Sequence, residues 1–220
     1  CRIKYYKMRA LIFIVFALSA TIQCFSQNHF THWNFGEYTS LDFTDPTNVV
    51  VGQGLIFSDE ATASFSDSEG NLLFCTDGIE LTDRNGNAFP SNIDVRGGQL
   101  STQNAVVVPA PWDTDERFYY LFTVSQSDFI PIENPGMYMT LIDMSLNEGL
   151  GDIAEVPELI IPEIREKIHA CMHSNGRDVW VGSHKHGTNE FYFVPVTCEG
   201  VGEPIISSTE HFVAEDEYDL

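Results

Sequence analysis

Four of the chain's seven histidines fall close together: His169, His173, His184 and His186. Neutral imidazoles are common metal ligands and carry protons near neutral pH, so spacing decides whether they can act together. If Ile168 to His173 runs as a strand, alternation puts His169, Cys171 and His173 on one face. A hairpin at Asn175-Gly176 then brings His184 opposite His173, and two or three imidazoles converge. The competing role is structural and is preferred: His173 and His184 bracket a hairpin with Trp180, where local hydrogen bonds commonly satisfy polar side chains.

Asp77, Asp83, Asp143, Asp152 and Asp178 all stand beside turn residues, where a carboxylate accepts backbone N–H bonds. Paired carboxylates could serve glycoside hydrolysis, but that chemistry depends on a separation that sequence does not give. Asp83-Arg84-Asn85-Gly86-Asn87 has the look of a calcium loop. Ala88 stands where its sharp turn needs glycine, and no glutamate follows at the right spacing. No cofactor is therefore expected, and calcium lacks a supporting motif. Ser64, Ser66, Ser101 and Ser125 sit in no GxSxG elbow, and no glycine-rich phosphate loop precedes a helix. No catalytic residue is nominated.

The elements that must position these groups read as strands. The run Gly70 to Gly78, GNLLFCTDG, sets turn residues before a short apolar strand and a polar turn after it; DERFYYLFTV from Asp115 and NGRDVWVGSH from Asn175 repeat that grammar. Further runs of four to eight residues occur at Ala61 to Ser66, Leu72 to Thr76, Ile79 to Thr82, Ala105 to Pro109, Phe118 to Val124, Tyr138 to Met144, His169 to His173, Val179 to Ser183 and Phe191 to Val196. Between them, Asp67 to Asn71, Arg84 to Asn87 and Ser174 to Arg177 predict hairpin turns, because Asn and Gly tolerate positive φ. Asp67, Gly70, Asn71, Asp77, Gly78, Asn175, Gly176, Asp178 and Trp180 are read as turn and blade positions. His32 to Gly36 offers aromatics to a core. Pro157 to Lys167 has room for a helical turn, which Pro162 keeps short.

Landmarks at Asn71, Arg117 and Arg177 lie 46 and 60 residues apart. With loop insertions around Asp128 to Pro135 and Gly149 to Pro162, this approaches the roughly 40 to 50 residues of a propeller blade. The expected fold is all-β, a partial β-propeller of three to four blades of antiparallel strands. A β-sandwich is the competing architecture. Closed propellers have about four to eight blades, so the expectation is a fragment of a larger propeller, truncated at the C-terminus.

Residues 1 to 27 read as a secretory signal peptide: Arg2, Lys4, Lys7 and Arg9 precede an apolar run from Ala10 to Ala20, and Cys24-Phe25-Ser26 suits cleavage. That run is about half the ~20 residues a membrane span needs. Met8 is the first methionine, which leaves room for residues 1 to 7 to be an upstream extension of the signal peptide, and the partial propeller is assigned to 28–220. Removing 1–27 leaves seven Lys and Arg against 32 Asp and Glu, a net −25. So anionic a surface repels nucleic acid and anionic lipid. Three cysteines remain, Cys75, Cys171 and Cys198, and export permits a disulfide, for which Cys171 with Cys198 is the pair to test. Packing is their default role.

HWNFGEYTSLDF from His32, SDSEGNLLFCTDG from Ser66, LSTQNAVVVPAP from Leu100, FYYLFTV from Phe118, LIDMSLNEGLGDI from Leu141, HSNGRDVWVGSH from His173 and NEFYFVPV from Asn189 carry a resemblance. In this order they resemble the N-terminal β-propeller-like region of large secreted surface proteins in Bacteroidetes, associated with gliding motility and type IX secretion. The resemblance implies export, then display or release through a C-terminal sorting domain, which these residues do not include. Cys75 departs from it, standing where an aromatic is expected. The function expected is a non-enzymatic scaffold, adhesion or interaction module at the cell surface, with protein or polysaccharide partners and no transmembrane helix in the mature chain. The alternative is a carbohydrate-active propeller enzyme, a hydrolase or lyase.

Overall fold

The computed structural model describes residues 28–45, 47–126, 133–185 and 187–210. The expected signal peptide and His186 lie outside them. Among the described residues the strands form four antiparallel sheets, none of them closed. Sheet I holds β1 (His32–Phe35), β2 (Glu37–Asp42) and β3 (Val50–Phe57); sheet II holds β4 (Ala63–Ser66), β5 (Leu72–Thr76) and β6 (Leu81–Asp83). Sheet III runs β7 (Ala105–Pro109), β8 (Phe118–Val124), β9 (Gly136–Asp143) and β10 (Asp152–Pro162). Sheet IV runs β11 (Ile164–Met172), β12 (Val179–Lys185), β13 (Glu190–Thr197) and β14 (Gly200–Val201), and β15 (Ile205–Ser208) also pairs with β13. No helix among the described residues is long and apolar enough to cross a membrane.

The core explains why aromatic strands sit in the middle of the chain. Sheet III is covered on both faces, and alternation along β8 divides its side chains between them. Tyr119 and Leu121 pack with Phe65, Phe74 and Ile142 in a core shared with sheet II. Tyr120, Phe122 and Val124 pack with Met137, Ile168, Val181 and Val194 in a second core shared with sheet IV. A strand buried on both sides reads as a continuous apolar run, which is what FYYLFTV is. Each such burial stabilises by about 1.5–3 kcal/mol.

The first strands of the sheets are neighbours in sequence order: β1 lies against β4, β4 against β7, and β7 against β11. A parallel bridge between Gln103 and Lys167 joins the entrance of β7 to β11. From its first strand each sheet continues through antiparallel neighbours, with β10 at the far edge of sheet III and both β14 and β15 pairing with β13 in sheet IV.

Two expectations are corrected. The stretch Pro157 to Lys167 contains no helical turn; it is the end of β10 and the start of β11. Both prolines of β10 are tolerated because it is the edge strand of sheet III and pairs only with β9, through a register with several bulges. Trp33 does not enter a core either. It is 49% exposed and lies against Phe43, with ring centroids 4.9 Å apart.

Candidate functional site

The four first strands enclose a mostly apolar cleft of about 560 Å³. Sheet I contributes Trp33 and Phe35, sheet II Ala63 and Phe65, sheet III Ala105 and Val107, and sheet IV His169 and Ala170. Phe30, 62% exposed, and Trp33 stand at its border. Several polar groups in the lining are already committed. The Asn34 N–H donates to Ser64 Oγ at 2.8 Å, the Thr62 hydroxyl donates to the Asn34 carbonyl at 2.7 Å, and Asn34 Oδ1 accepts from the Leu55 N–H at 3.0 Å. The first two bonds tie sheet I to the start of sheet II, and the third ties β1 to β3 within sheet I. Gln103 and His169 are the polar side chains that sheets III and IV bring to the cleft.

His169 also borders a second depression, of about 370 Å³, on the outer face of sheet IV. Register places His169 opposite Gly182 and Cys171 opposite Trp180 on β12, then Gly182 opposite Phe193 and His184 opposite Phe191 on β13. Alternation puts all of these on the face turned away from the core residues Val181, Val194 and Val196. A Cβ at position 182 would stand 3.0 Å from the Phe193 ring, so glycine is what lets that ring lie across the strand.

The sequence-predicted histidines separate into local roles. His173 Nδ1 accepts the Asn175 N–H at 3.2 Å, and its ring lies 5.9 Å from Trp180. His184 Nε2 is 2.6 Å from the Thr188 carbonyl oxygen, and its ring packs on Phe191 at 4.8 Å. His169 stands apart at the cleft. Among the described residues no three His, Cys, Asp or Glu side chains form a metal-binding group.

The acidic turn residues accept backbone N–H groups, most of them within their own turns. Asp67 accepts the N–H groups of Glu69 and Asn71 and the Asn71 side-chain amide, with Gly70 at φ +93°. Asp77 accepts from the N–H groups of Ile79 and Glu80 at 2.8 and 2.9 Å, and Asp83 accepts from those of Asn85 and Asn87. Asp152 accepts from the Ser91 and Ile153 N–H groups. In the β11–β12 hairpin, Asn175 Oδ1 accepts from the Arg177 and Asp178 N–H groups around Gly176. Asp178 takes the Arg177 guanidinium at 3.0 Å and the Asn175 amide at 2.7 Å, and these bonds, Arg177 first, hold its carboxyl below the usual range.

Gly78, at φ +93°, has a second reason to be glycine, since a Cβ there would stand within 2.3 Å of Asn104 Nδ2. That amide nitrogen faces the carbonyl oxygens of Asp77, Gly98 and Ala61 at 2.6, 2.9 and 3.3 Å. Asn104, just ahead of β7, thereby gathers three loops at the end of sheet II.

Cys171 and Cys198, the pair singled out for a disulfide test, are unbridged: both are free, exposed thiols. Cys171 is on β11 and Cys198 follows β13, and β12 runs between those strands. Cys75 is buried and free, and burial, with Asp77 and Asp83 nearby, pushes its thiol up to about 12.

Two features have no counterpart in the sequence reading. Arg117 grips Asp143 with Nε at 2.7 Å and Nη2 at 2.5 Å, and that guanidinium, with Ser145, draws the Asp143 carboxyl down to about 2 against the pull of its burial. The other is Glu166, 9% exposed, at φ +69° where β11 breaks register between Ile164 and Ile168. No periodic signal marks it, because Glu163 to Lys167 reads as an ordinary charged stretch. Comparison with protein-family models, curated proteins and solved structures finds no match to this chain.

Proposed function

We propose that the chain is a partial β-propeller, with sheets I to IV as four successive blades, acting as a non-enzymatic scaffold, adhesion or interaction module at the cell surface. The observation that carries this reading is the ordered contact of β1, β4, β7 and β11 around one cleft, each opening an antiparallel sheet. Sheet II packs on sheet III and sheet III on sheet IV, so the outer face of sheet IV, with Trp180 and Phe193, is where a further blade belongs. Export rests on the basic and apolar pattern of residues 1–27 and on the resemblance to secreted surface proteins.

The cleft is the interaction site in this reading. Exposed aromatics at a concave border are the usual anchors of recognition, and Phe30 and Trp33 supply them beside His169 and Gln103. The partner is a protein or polysaccharide of the cell surface. The carboxylates singled out by sequence are engaged in turn bonds, which favours presentation over acid–base chemistry.

A binding screen against cell-surface polysaccharides and proteins, run beside chromogenic glycosides, tests this. Expected are saturable binding without turnover and at least a tenfold loss in Trp33→Ala. Turnover abolished by a single carboxylate substitution would replace the scaffold with a carbohydrate-active enzyme. Binding indifferent to Trp33→Ala would remove the cleft from the reading.

A further inference from the structure

We propose that Ser101, Asn104 and Glu166 together form a binding site for one hard cation, with calcium the ion it suits. Each carries a buried oxygen with no hydrogen-bond partner: Ser101 Oγ, Asn104 Oδ1 and Glu166 Oε1. Ser101 and Asn104 are 0% exposed and Glu166 is 9% exposed. Buried polar atoms are nearly always paired; Ser91 Oγ and Thr140 Oγ1 are also unpaired, but Ser101, Asn104 and Glu166 are the three whose residues hydrogen bonds gather at one turn. A carboxylate and an amide oxygen accept and never donate, which means that whatever meets them must be positive or carry protons.

The three side chains are held around one turn. The Gly98 carbonyl accepts both the Ser101 N–H at 3.2 Å and Asn104 Nδ2 at 2.9 Å, which folds residues 98–104 on themselves. Glu166 Oε2 lies 3.5 Å from the Thr102 nitrogen, and the Gln103 N–H donates to the Glu166 carbonyl at 3.0 Å, which lays β11 along the same turn. Backbone donors around the turn are already used: the N–H groups of Val124, Glu166 and Ile168 go to the carbonyls of Asn104, Ser125 and Gln103. They cannot also serve the unpaired oxygens.

Carboxylate, amide and hydroxyl oxygens make a hard donor set. It differs in kind from the His, Cys and acidic clusters that hold transition metals. Calcium accepts six to eight oxygens in irregular geometry, waters included, whereas magnesium demands a near-ideal octahedron. With one carboxylate the affinity belongs with weak calcium modules, a dissociation constant on the order of 10⁻⁴–10⁻³ M. The formal net charge of −21 raises the local cation concentration. A bound ion would fasten the entrance of β7 to β11, and so sheet III to sheet IV.

Equilibrium dialysis of the purified chain against calcium, in roughly 0.15 M sodium chloride to screen diffuse surface binding, is the test. The expected result is one saturable calcium per chain and a melting temperature that rises with calcium but not with sodium at equal ionic strength. Glu166→Gln should weaken binding at least tenfold, and Ser101→Ala, which removes only a hydroxyl, by a few fold, while the exposed control Glu155→Gln leaves it unchanged. Ser101→Ala decides the matter if Glu166→Gln does not fold. Absence of a saturable ion, affinity unchanged in Glu166→Gln and Ser101→Ala, or an experimental density map from calcium-soaked protein with water among these oxygens would each overturn the proposal.

Discussion

Replacing Asp143 with asparagine should destabilise the protein in a way that disappears in acid. Asp143 ends β9 and is 4% exposed, and its carboxylate receives two guanidinium bonds from Arg117 and bonds from both the Ser145 N–H and hydroxyl. Its carboxyl is lowered from 3.8 to about 2, chiefly by the Arg117 bonds. At 1.36 kcal/mol per pH unit that depression corresponds to roughly 2 kcal/mol. The Arg117 side chain is 48% exposed, so water and salt screen part of it, and about 1 kcal/mol is the better expectation. Because the folded-state value lies below the unfolded one, the contribution is complete above about pH 4–5, falls as pH drops toward 2, and is absent below that. Urea unfolding of wild type and Asp143→Asn at pH 7, 4, 3 and 2 measures it. The midpoint gap should be widest at pH 7 and close by pH 2, with an unchanged urea slope. A gap of equal size at every pH would show that the substitution acts through packing or the Ser145 bonds and refute the charge argument.

Phe122→Ala should cost about 3–5 kcal/mol, because the ring is 0% exposed in the core between sheets III and IV; denaturant unfolding checks it, and a loss under 1 kcal/mol would mean that those sheets do not pack as described. In a chain lacking residues 1–27, a thiol reagent at pH 8 should titrate Cys171 and Cys198 quickly. Cys75, buried with its thiol pushed up to about 12, should react only on unfolding, so fast modification of all three thiols would contradict its burial.

Much of the strand order was legible because the central strands announce themselves. FYYLFTV is apolar at consecutive positions since both faces of β8 are covered, and Asp67 to Asn71 and His173 to Asp178 carry the side chains that close their own turns. What failed was context. VVGQGLIF does not read as a strand, yet it is β3, and Gly54 is required because a Cβ there would stand 2.4 Å from the Thr39 carbonyl oxygen. Pro157 and Pro162 suggest a break, but an edge strand forgives a missing donor. The histidines illustrate the same limit in the site: period-2 alternation placed His169 and Cys171 correctly on one face, while the partners that occupy His173 and His184 are backbone groups of their own turns. Glu166 was invisible, since its burial comes from a bulge and from a loop 60-odd residues earlier in the chain.

Acidity and architecture are connected through those turns. Asp67, Asp77, Asp83, Asp113 and Asp143 each accept backbone N–H groups two or more residues ahead, so the carboxylate acts as a template for the chain reversal between strands. Aspartate does this with a fixed negative charge, and a protein built of many short hairpins accumulates that charge at its loop ends. The strong net charge is then partly a consequence of the fold. Glu166 does not belong to this pattern: it lies within a strand, is buried, and leaves one oxygen unpaired. Of the buried described carboxylates, Asp83, Asp143 and Glu166, it is the one that accepts no bond within a turn of its own, which is the physical reason for assigning it a ligand and the turn aspartates none.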